Sequence, residues 1–219
     1  MTLGASTGTH AYGEPSYWDQ RYRQDTGPFD WYQKYKRLAP LFDLYIRRSH
    51  RVLLVGCGNS TLGEDMASDG YLDIVNIDIS SVVVEAMRQK YEDKPELKYI
   101  TMDVRDMSAF ESSSFDAVID KGTLDSLMCG QNAHDNATKM LDEIGRVLKN
   151  NGVYILVDRT EKNPEQQRWE LTKSLPLNQD DSSITALIGS HAEVHYIYVC
   201  IKDETLRRHG DVNGRNERV

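Results

Sequence analysis

Alternating strands and helices in this sequence predict an α/β fold with a doubly wound, mostly parallel sheet. Two apolar runs that end in turns, at residues 51–55 and 72–77, flank a helix-like stretch and form a β-α-β unit. Further strand-like runs follow at residues 97–101, 115–120 and 153–158. Because parallel crossovers are right-handed, we expect helices on both faces of the sheet.

The helices show apolar periodicity and recognisable ends. Ser80 and Ser81 can cap a helix whose apolar residues recur at three- and four-residue steps, namely Val83, Val84, Met87 and Tyr91. A longer helix is expected from Asp135 to a turn at residues 150–152, with apolar positions at Ala137, Met140, Leu141, Ile144, Val147 and Leu148. Both patterns predict helices with one face packed on the sheet.

The C-terminal part of the sequence predicts an antiparallel hairpin. Two strand-like runs, at residues 183–188 and 193–201, flank a short connection at residues 189–191. With the five earlier runs they make a sheet of seven strands. The final strand is therefore expected to run against the others.

The length of the chain favours a single domain. Its 219 residues fit one hydrophobic core, which can serve roughly 250 residues before chains tend to divide. We expect the domain to span residues 14–202. Residues 1–13 are small and polar, and residues 203–219 carry charge without apolar periodicity, so both segments are expected to be flexible.

Cysteine and histidine usage indicates a reducing compartment and no metal site. The three cysteines, Cys57, Cys129 and Cys200, are widely spaced and odd in number, so they suit neither a disulfide framework nor a paired-cysteine metal site. The six histidines, among them His134, His191 and His195, show no ligand spacing with each other or with the cysteines. We therefore expect a cytoplasmic protein without a bound metal.

The charge of the chain limits its partners. The net charge of −8 argues against direct nucleic-acid binding and mildly favours a basic partner surface. The N-terminus lacks the pattern of a secretory signal, and no stretch approaches the roughly 20 apolar residues of a membrane span. A soluble monomer without a membrane partner is the expectation.

A glycine turn follows the first strand in VLLVGCGNS, residues 52–60. Gly56 and Gly58 lack a Cβ, so backbone amides there can approach a ligand at the carboxyl edge of the sheet. A dinucleotide fingerprint would need a third glycine at position 61, which is Thr61, so a pyrophosphate-holding turn is disfavoured. A Gly-x-Gly pair alone is a weak signal, and its interpretation depends on the strands that follow.

Acidic residues end the second and third strands. Asp78 lies about 20 residues past the glycine turn, where a carboxylate can accept hydrogen bonds from both ribose hydroxyls of an adenosine ligand. Asp103 can accept from the adenine amino group, with Met102 and Val104 beside the ring. The alternative is that both aspartates are helix caps or turn formers.

With its glycine turn, ribose acid and adenine acid in this order, the chain resembles the class I methyltransferases over residues 50–158. The resemblance implies a Rossmann-like fold and S-adenosylmethionine as cofactor, with S-adenosylhomocysteine as product. It implies these cofactor-binding residues: Gly56, Gly58, Asn59, Asp78, Ile79, Asp103 and Val104. One departure is Leu54, two positions before the first glycine, where that family usually has an acidic residue.

Two further segments are similar to the lysine methyltransferases that act on translation elongation factor one alpha. YWDQRY (17–22) and DWY (30–32) match the aromatic segment that closes over the cofactor in that group, through Trp18, Tyr22 and Trp31. DKGTLDSL (120–127) matches the loop after the fourth strand, through Asp120, Lys121, Gly122, Thr123, Leu124 and Asp125. The resemblance implies a protein substrate, such as the elongation factor.

The chemistry of the aromatic side chains also suits a sulfonium cofactor. Ring faces attract a cation such as a sulfonium, and Trp18 and Tyr22 are four residues apart, so one helical face can present both. The alternative is that these rings only pack in the core. Lys121 can pair with the methionyl carboxylate of the cofactor, or with Asp120 or Asp125 as an ion pair.

Methyl transfer requires a neutral nucleophile held in line with the methyl group. The hypothesis is that Asp125 and Asp120 orient an incoming lysine amine or pass its proton to water. A small-molecule methyltransferase is the second hypothesis, although the short polar insert at residues 159–182 favours an open site that accepts a protein. The third is a cofactor-binding scaffold without catalysis.

Overall fold

The computed structural model describes Tyr12, residues 14–158 and residues 196–203. The strands are β1 Arg51–Val55, β2 Asp73–Asp78, β3 Leu97–Thr101, β4 Phe115–Lys121, β5 Leu148–Asp158 and β6 Tyr196–Ile201. The helices are α1 Pro15–Gln24, α2 Tyr35–Tyr45, α3 Leu62–Ser68, α4 Ser81–Lys90, α5 Thr123–Met128 and α6 Ala133–Val147. No helix in these ranges is long and apolar enough to span a membrane.

The strands form one mixed sheet in the order β3-β2-β1-β4-β5-β6. Strands β1 to β5 are parallel, and β6 runs antiparallel to β5, with Ile155 opposite Val199. The predicted α/β fold with a mostly parallel sheet and an antiparallel end is confirmed. The seventh predicted strand at residues 183–188 and its connection at 189–191 lie outside the described residues, as does the insert at 159–182.

Both faces of the sheet are covered, because alternate residues of each strand point to opposite sides. In β1, Val52 and Leu54 belong to a buried cluster with residues of α2, α3 and α4. Leu53 and Val55 belong to a second cluster with residues of α5 and α6. The sheet is therefore the middle layer of three, as the alternation of strands and helices predicts.

Ser80 caps α4, as the sequence predicts, and also joins two other elements. Its Oγ accepts from the backbone N–H of Val83 at 3.5 Å and donates to Asp19 of α1 at 2.5 Å. Its own N–H donates to the carboxylate of Asp78 at 2.9 Å. One fully buried serine thus fixes the start of α4 against α1 and the end of β2.

The boundary between α6 and β5 differs from the prediction. The helix begins at Ala133 and ends at Val147, and the strand begins directly at Leu148, so the expected turn at residues 150–152 lies within the span of β5. The backbone there bulges, since Asn151 has φ 60° and the register with β4 shifts. Pairing of this bulge with Lys202 beyond β6 explains why strand structure continues through it.

We expect Ser80→Ala to lower the free energy of unfolding by about 1 kcal/mol, because the substitution removes a helix cap. Urea unfolding followed by circular dichroism measures this difference. Ser81→Ala, at the exposed first residue of α4, is the matched control and should leave stability unchanged. Equal stability of both variants would show that the Ser80 hydroxyl does not cap the helix.

Candidate functional site

A cavity opens at the carboxyl edge of the sheet, where β1, β2, β3 and β4 end. The glycine turn forms its floor, and α1 with the segment after it forms one wall. Every predicted cofactor-binding residue lines it: Trp18, Tyr22, Trp31, Gly56, Gly58, Asn59, Asp78, Ile79, Asp103, Val104 and Lys121. Asp120 and Asp125 are not among the lining residues.

The two glycines of the turn are required by geometry. Gly56 has φ 57° and Gly58 has φ 52°, a region that side chains with a Cβ rarely adopt. A Cβ at Gly56 would lie 2.0 Å from Oγ1 of Thr123, and one at Gly58 would lie 2.6 Å from the hydroxyl of Tyr22. Both positions therefore leave the backbone bare on the floor of the cavity.

Asp78 connects this turn to the end of β2. Its carboxylate accepts from the N–H of Gly58 through Oδ2 and from the N–H of Ser80 through Oδ1, both at 2.9 Å. Burial raises the pKa of Asp78 to about 6, although both backbone N–H groups favour the charged form. Asp78 is thus a turn former and also a cavity residue, and its oxygens retain lone pairs for a ligand.

Asp103 follows β3, also lines the cavity and is paired with Arg105. The guanidinium donates to it through Nε at 2.9 Å and through a terminal nitrogen at 2.7 Å, and the backbone N–H of Arg105 donates at 2.9 Å. Partial burial opposes ionisation, but the hydrogen bonds with Arg105 hold the pKa of Asp103 below its usual value. The carboxylate therefore faces the cavity, beside Met102 and Val104, in its charged form.

Aromatic rings form the wall contributed by α1 and the segment after it. Trp18 and Tyr22 stack with their ring centroids 6.0 Å apart, and the indole N–H of Trp18 donates to the carbonyl of Tyr12 at 2.8 Å. Trp31 lines the same wall. The side chain of Arg21 lies among these rings, so a cation from the protein itself already contacts the indole faces.

Lys121 is buried, and Asp30 is its ionic partner. Its ammonium donates to Oδ1 of Asp30 at 3.1 Å and to the carbonyl of Trp31 at 3.2 Å. Burial lowers the pKa of Lys121, and the charge of Asp30 opposes that shift. The predicted alternative, an ion pair with Asp120 or Asp125, is wrong. The side chain of Lys121 instead reaches the segment between α1 and α2, called the aromatic segment below, which contains Asp30 and Trp31.

Asp30 is held by more than one partner. Besides the ammonium of Lys121, it accepts from the hydroxyl of Ser60, in the loop that follows the glycine turn, and from that of Thr61 at 3.4 Å. Burial alone would raise the pKa of Asp30, but the charge of Lys121 and these hydroxyls lower it further, so the pKa lies below its usual value. The side chain of Asn59 also donates to the carbonyl of Gly27. The aromatic segment is thereby fastened to the floor of the cavity.

Asp120 has no exposed surface and holds the start of α5. It accepts from the N–H of Thr123 at 2.8 Å, from that of Leu124 at 3.2 Å and from the hydroxyl of Tyr154 at 3.1 Å. Burial raises its pKa to about 7. These contacts make Asp120 a positioning residue for the loop rather than a group that reaches a substrate.

Asp125 is half-buried in the first turn of α5 and accepts from the hydroxyl of Tyr32 at 2.7 Å. Tyr32 has φ 63°, a strained backbone conformation for a tyrosine. Its ring packs on Gly122, where a Cβ would lie 3.2 Å away. Burial, followed by the bond to Asp125, raises the pKa of Tyr32, so its hydroxyl keeps its proton.

Sequence reasoning missed three side chains of this site: Arg21, Asp30 and Tyr32. All three lie inside the segments YWDQRY and DWY, in which only Trp18, Tyr22 and Trp31 are predicted site residues. A charge or a hydroxyl inside an otherwise aromatic motif is the signal that could have identified them. Among the described residues, no group of three or more His, Cys, Asp or Glu is placed to hold a metal ion.

Both the sequence and the fold of the chain are similar to those of known proteins. Residues 53–156 match the family model described as a methyltransferase domain. Over that range the chain is similar to methyltransferase domains, and its fold is that of S-adenosylmethionine-dependent methyltransferases of known structure. The predicted family resemblance, fold and cofactor are confirmed.

Two proteins with similar sequences are named as methyltransferases of eEF1A. EEF1A lysine methyltransferase 4 from Bos taurus is 39% identical over 154 residues, which cover 66% of this chain and 60% of that protein. The eEF1A lysine and N-terminal methyltransferase from Homo sapiens is 37% identical over 150 residues, which cover 67% of this chain and 21% of that protein. The chain thus matches 60% of the length of one relative and about a fifth of the other.

A solved structure supports the fold. Magnesium protoporphyrin IX methyltransferase from Synechocystis PCC 6803, with bound SAM, superposes with a TM-score of 0.61 at 16% sequence identity. The superposition covers 92% of this chain and 100% of that one. At this identity the likeness concerns the arrangement of strands and helices.

The cavity residues fit S-adenosylmethionine chemically. Gly56 and Gly58 bring backbone without a Cβ to the cavity, and carboxylates at Asp78 and Asp103 stand at two strand ends to accept hydrogen bonds. The aromatic wall supplies ring faces. An adenosine group with an attached amino-acid chain matches this combination of acceptors and apolar surface.

We expect the affinity for S-adenosylhomocysteine to fall as pH falls below about 6, because Asp78 then takes up a proton. Its pKa is raised in the folded protein, so the ribose hydroxyls meet a charged acceptor only above that pH. Well below it, affinity should drop about tenfold per pH unit. Calorimetric titration between pH 5 and pH 8, with Asp78→Asn as a non-titrating control, measures this. A flat profile in the wild type would exclude Asp78 from ligand binding.

Proposed function

We propose that the chain is a protein-lysine N-methyltransferase that acts on translation elongation factor one alpha or a similar protein. The observation that carries this proposal is the 39% identity over 154 residues to a protein named EEF1A lysine methyltransferase 4. We also propose, from its sparse cysteines, that it works in the cytoplasm. A monomeric state stays a prediction.

The cavity residues divide the binding task between them. S-adenosylmethionine, when bound, supplies a methyl group activated by attachment to a sulfonium. Asp78 is proposed to accept from the ribose hydroxyls and Asp103 from the adenine amino group, beside Val104 and Ile79. Asn59, next to Gly58, lines the cavity, and its side chain donates to the carbonyl of Gly27. Trp18, Tyr22 and Trp31 cover the site and exclude water.

The acceptor lysine must lose its proton before it can attack, since its reference pKa is near 10.4. We propose that Asp125 orients this amine and passes its proton to water. The contact that supports this role is the 2.7 Å hydrogen bond from Tyr32, which fixes one carboxylate oxygen. Asp120 contributes by holding the backbone of α5, on which Asp125 sits.

A transfer assay tests the activity and the substrate class together. Purified protein is incubated with radiolabelled S-adenosylmethionine and a cell extract, and the products are resolved by gel. A labelled band at the size of the elongation factor is expected with the wild type. Asp78→Ala and Asp125→Ala should each lose it, the first through weaker cofactor binding and the second through the chemical step, by about a hundredfold.

Two controls make the result interpretable. Asp135→Asn, which removes an exposed carboxylate from the first turn of α6, should label as the wild type does. Asp125→Asn should bind S-adenosylhomocysteine normally, and unchanged turnover in this variant would remove Asp125 from the mechanism. Label confined to small molecules would favour a metabolite substrate. Cofactor binding without any label would favour a non-catalytic scaffold.

A further inference from the structure

Arg21 occupies an unusual position on the aromatic wall. It lies on α1, and its guanidinium carbon is 5.2 Å from the ring centroid of Phe29, 5.7 Å from that of Trp31 and 6.0 Å from that of Trp18. The side chain also lines the cavity. Three rings therefore hold one guanidinium group at the edge of the proposed binding site.

Among the described residues, three cations line the cavity, and two of them already have an acidic partner. Arg105 is paired with Asp103 at 2.7 Å, and Lys121 is paired with Asp30 at 3.1 Å. Within residues 14–158 and 196–203, no carboxylate or carbonyl lies at hydrogen-bonding or ion-pair distance from the side chain of Arg21. Its N–H donors thus have no acceptor among these residues.

A half-buried guanidinium without an acceptor is a natural partner for an anionic ligand group. Its planar fork can donate two parallel hydrogen bonds to a carboxylate, a geometry that lysine does not offer. The rings on either side restrict its movement, so less conformational entropy is lost when a ligand binds. The part of the cofactor that has this chemistry is the carboxylate of its amino-acid chain.

We propose that Arg21 binds the methionyl carboxylate of S-adenosylmethionine, the role first expected of Lys121. Lys121 is engaged by Asp30 and by the carbonyl of Trp31, so its structural task is to hold the aromatic segment. Arg21 then fixes the amino-acid end of the ligand, while Asp78 and Asp103 hold the adenosine end. This inference rests on the proposed use of the cavity as a cofactor site.

The proposal predicts discrimination between two ligands. S-adenosylhomocysteine carries the carboxylate, whereas 5′-methylthioadenosine has the same adenosine and thioether without it. Neither ligand has a sulfonium, so repulsion between two positive charges does not enter the comparison. Arg21 should contribute to the binding of the first ligand and not to that of the second.

Isothermal titration of both ligands into the wild type and into Arg21→Met tests this prediction. Methionine retains an apolar stem that can pack between the rings. We expect Arg21→Met to weaken S-adenosylhomocysteine roughly ten- to a hundredfold, the usual contribution of hydrogen bonds to a charged group, and to leave 5′-methylthioadenosine within about twofold. Arg23→Met is the matched control on the same helix, because that side chain is 64% exposed.

The outcomes separate this inference from the proposed function. Equal weakening of both ligands would show that Arg21 acts only by packing the wall, and unchanged binding of S-adenosylhomocysteine would show that it does not contact the ligand. Either result overturns the inference and leaves the methyltransferase proposal intact. A wild type that binds neither ligand would overturn both. If Arg21→Met fails to fold, Arg21→Lys keeps the charge and should lose part of the discrimination.

Discussion

A buried ion pair between Asp30 and Lys121 is the interaction on which the closed cavity depends. The two side chains are 11% and 6% exposed, so both charges have lost most of their hydration. Their attraction and the hydroxyls of Ser60 and Thr61 offset that cost. The pair joins the aromatic segment to the end of β4. That segment therefore lies over the carboxyl edge of the sheet and forms a wall of the cavity.

Two buried carboxylates at the carboxyl edge of the sheet each accept hydrogen bonds from two backbone N–H groups. Asp78 does so for Gly58 and Ser80, and Asp120 does so for Thr123 and Leu124. Burial raises both pKa values, to about 6 and about 7, which shows that desolvation outweighs these hydrogen bonds. The glycine turn and the start of α5 are thereby fixed before any ligand arrives.

The sequence predicts the parts of this structure that local pattern controls. The strands through β4, the cap at Ser80 and the glycine turn follow from apolar runs, a polar residue at a helix start and residues without a Cβ. For the bulged start of β5 the sequence predicts a turn, because Asn151 and Gly152 suit turns. The pairing that extends the strand comes from Lys202, far along the chain.

Side-chain partners were harder to predict than elements. For Lys121 the sequence leaves two partners open, the methionyl carboxylate of the cofactor and a nearby aspartate, whereas its ionic partner in the structure is Asp30, 91 residues away. The position of Arg21 among three rings likewise depends on how α1 packs against the segment after it. Sequence spacing places residues along one element, whereas such contacts depend on tertiary packing.

The most direct test of this account is the affinity of S-adenosylhomocysteine for the wild type and for Asp30→Asn, measured by calorimetry. Asp25→Asn, an exposed carboxylate in the same connecting segment, is the control. We expect one bound ligand per chain and no change of affinity in the control. In Asp30→Asn the affinity should be at least roughly tenfold weaker, because the segment between α1 and α2 is released from Lys121. Equal affinity in all three proteins would contradict the role of the ion pair, and absence of binding in the wild type would contradict the site itself.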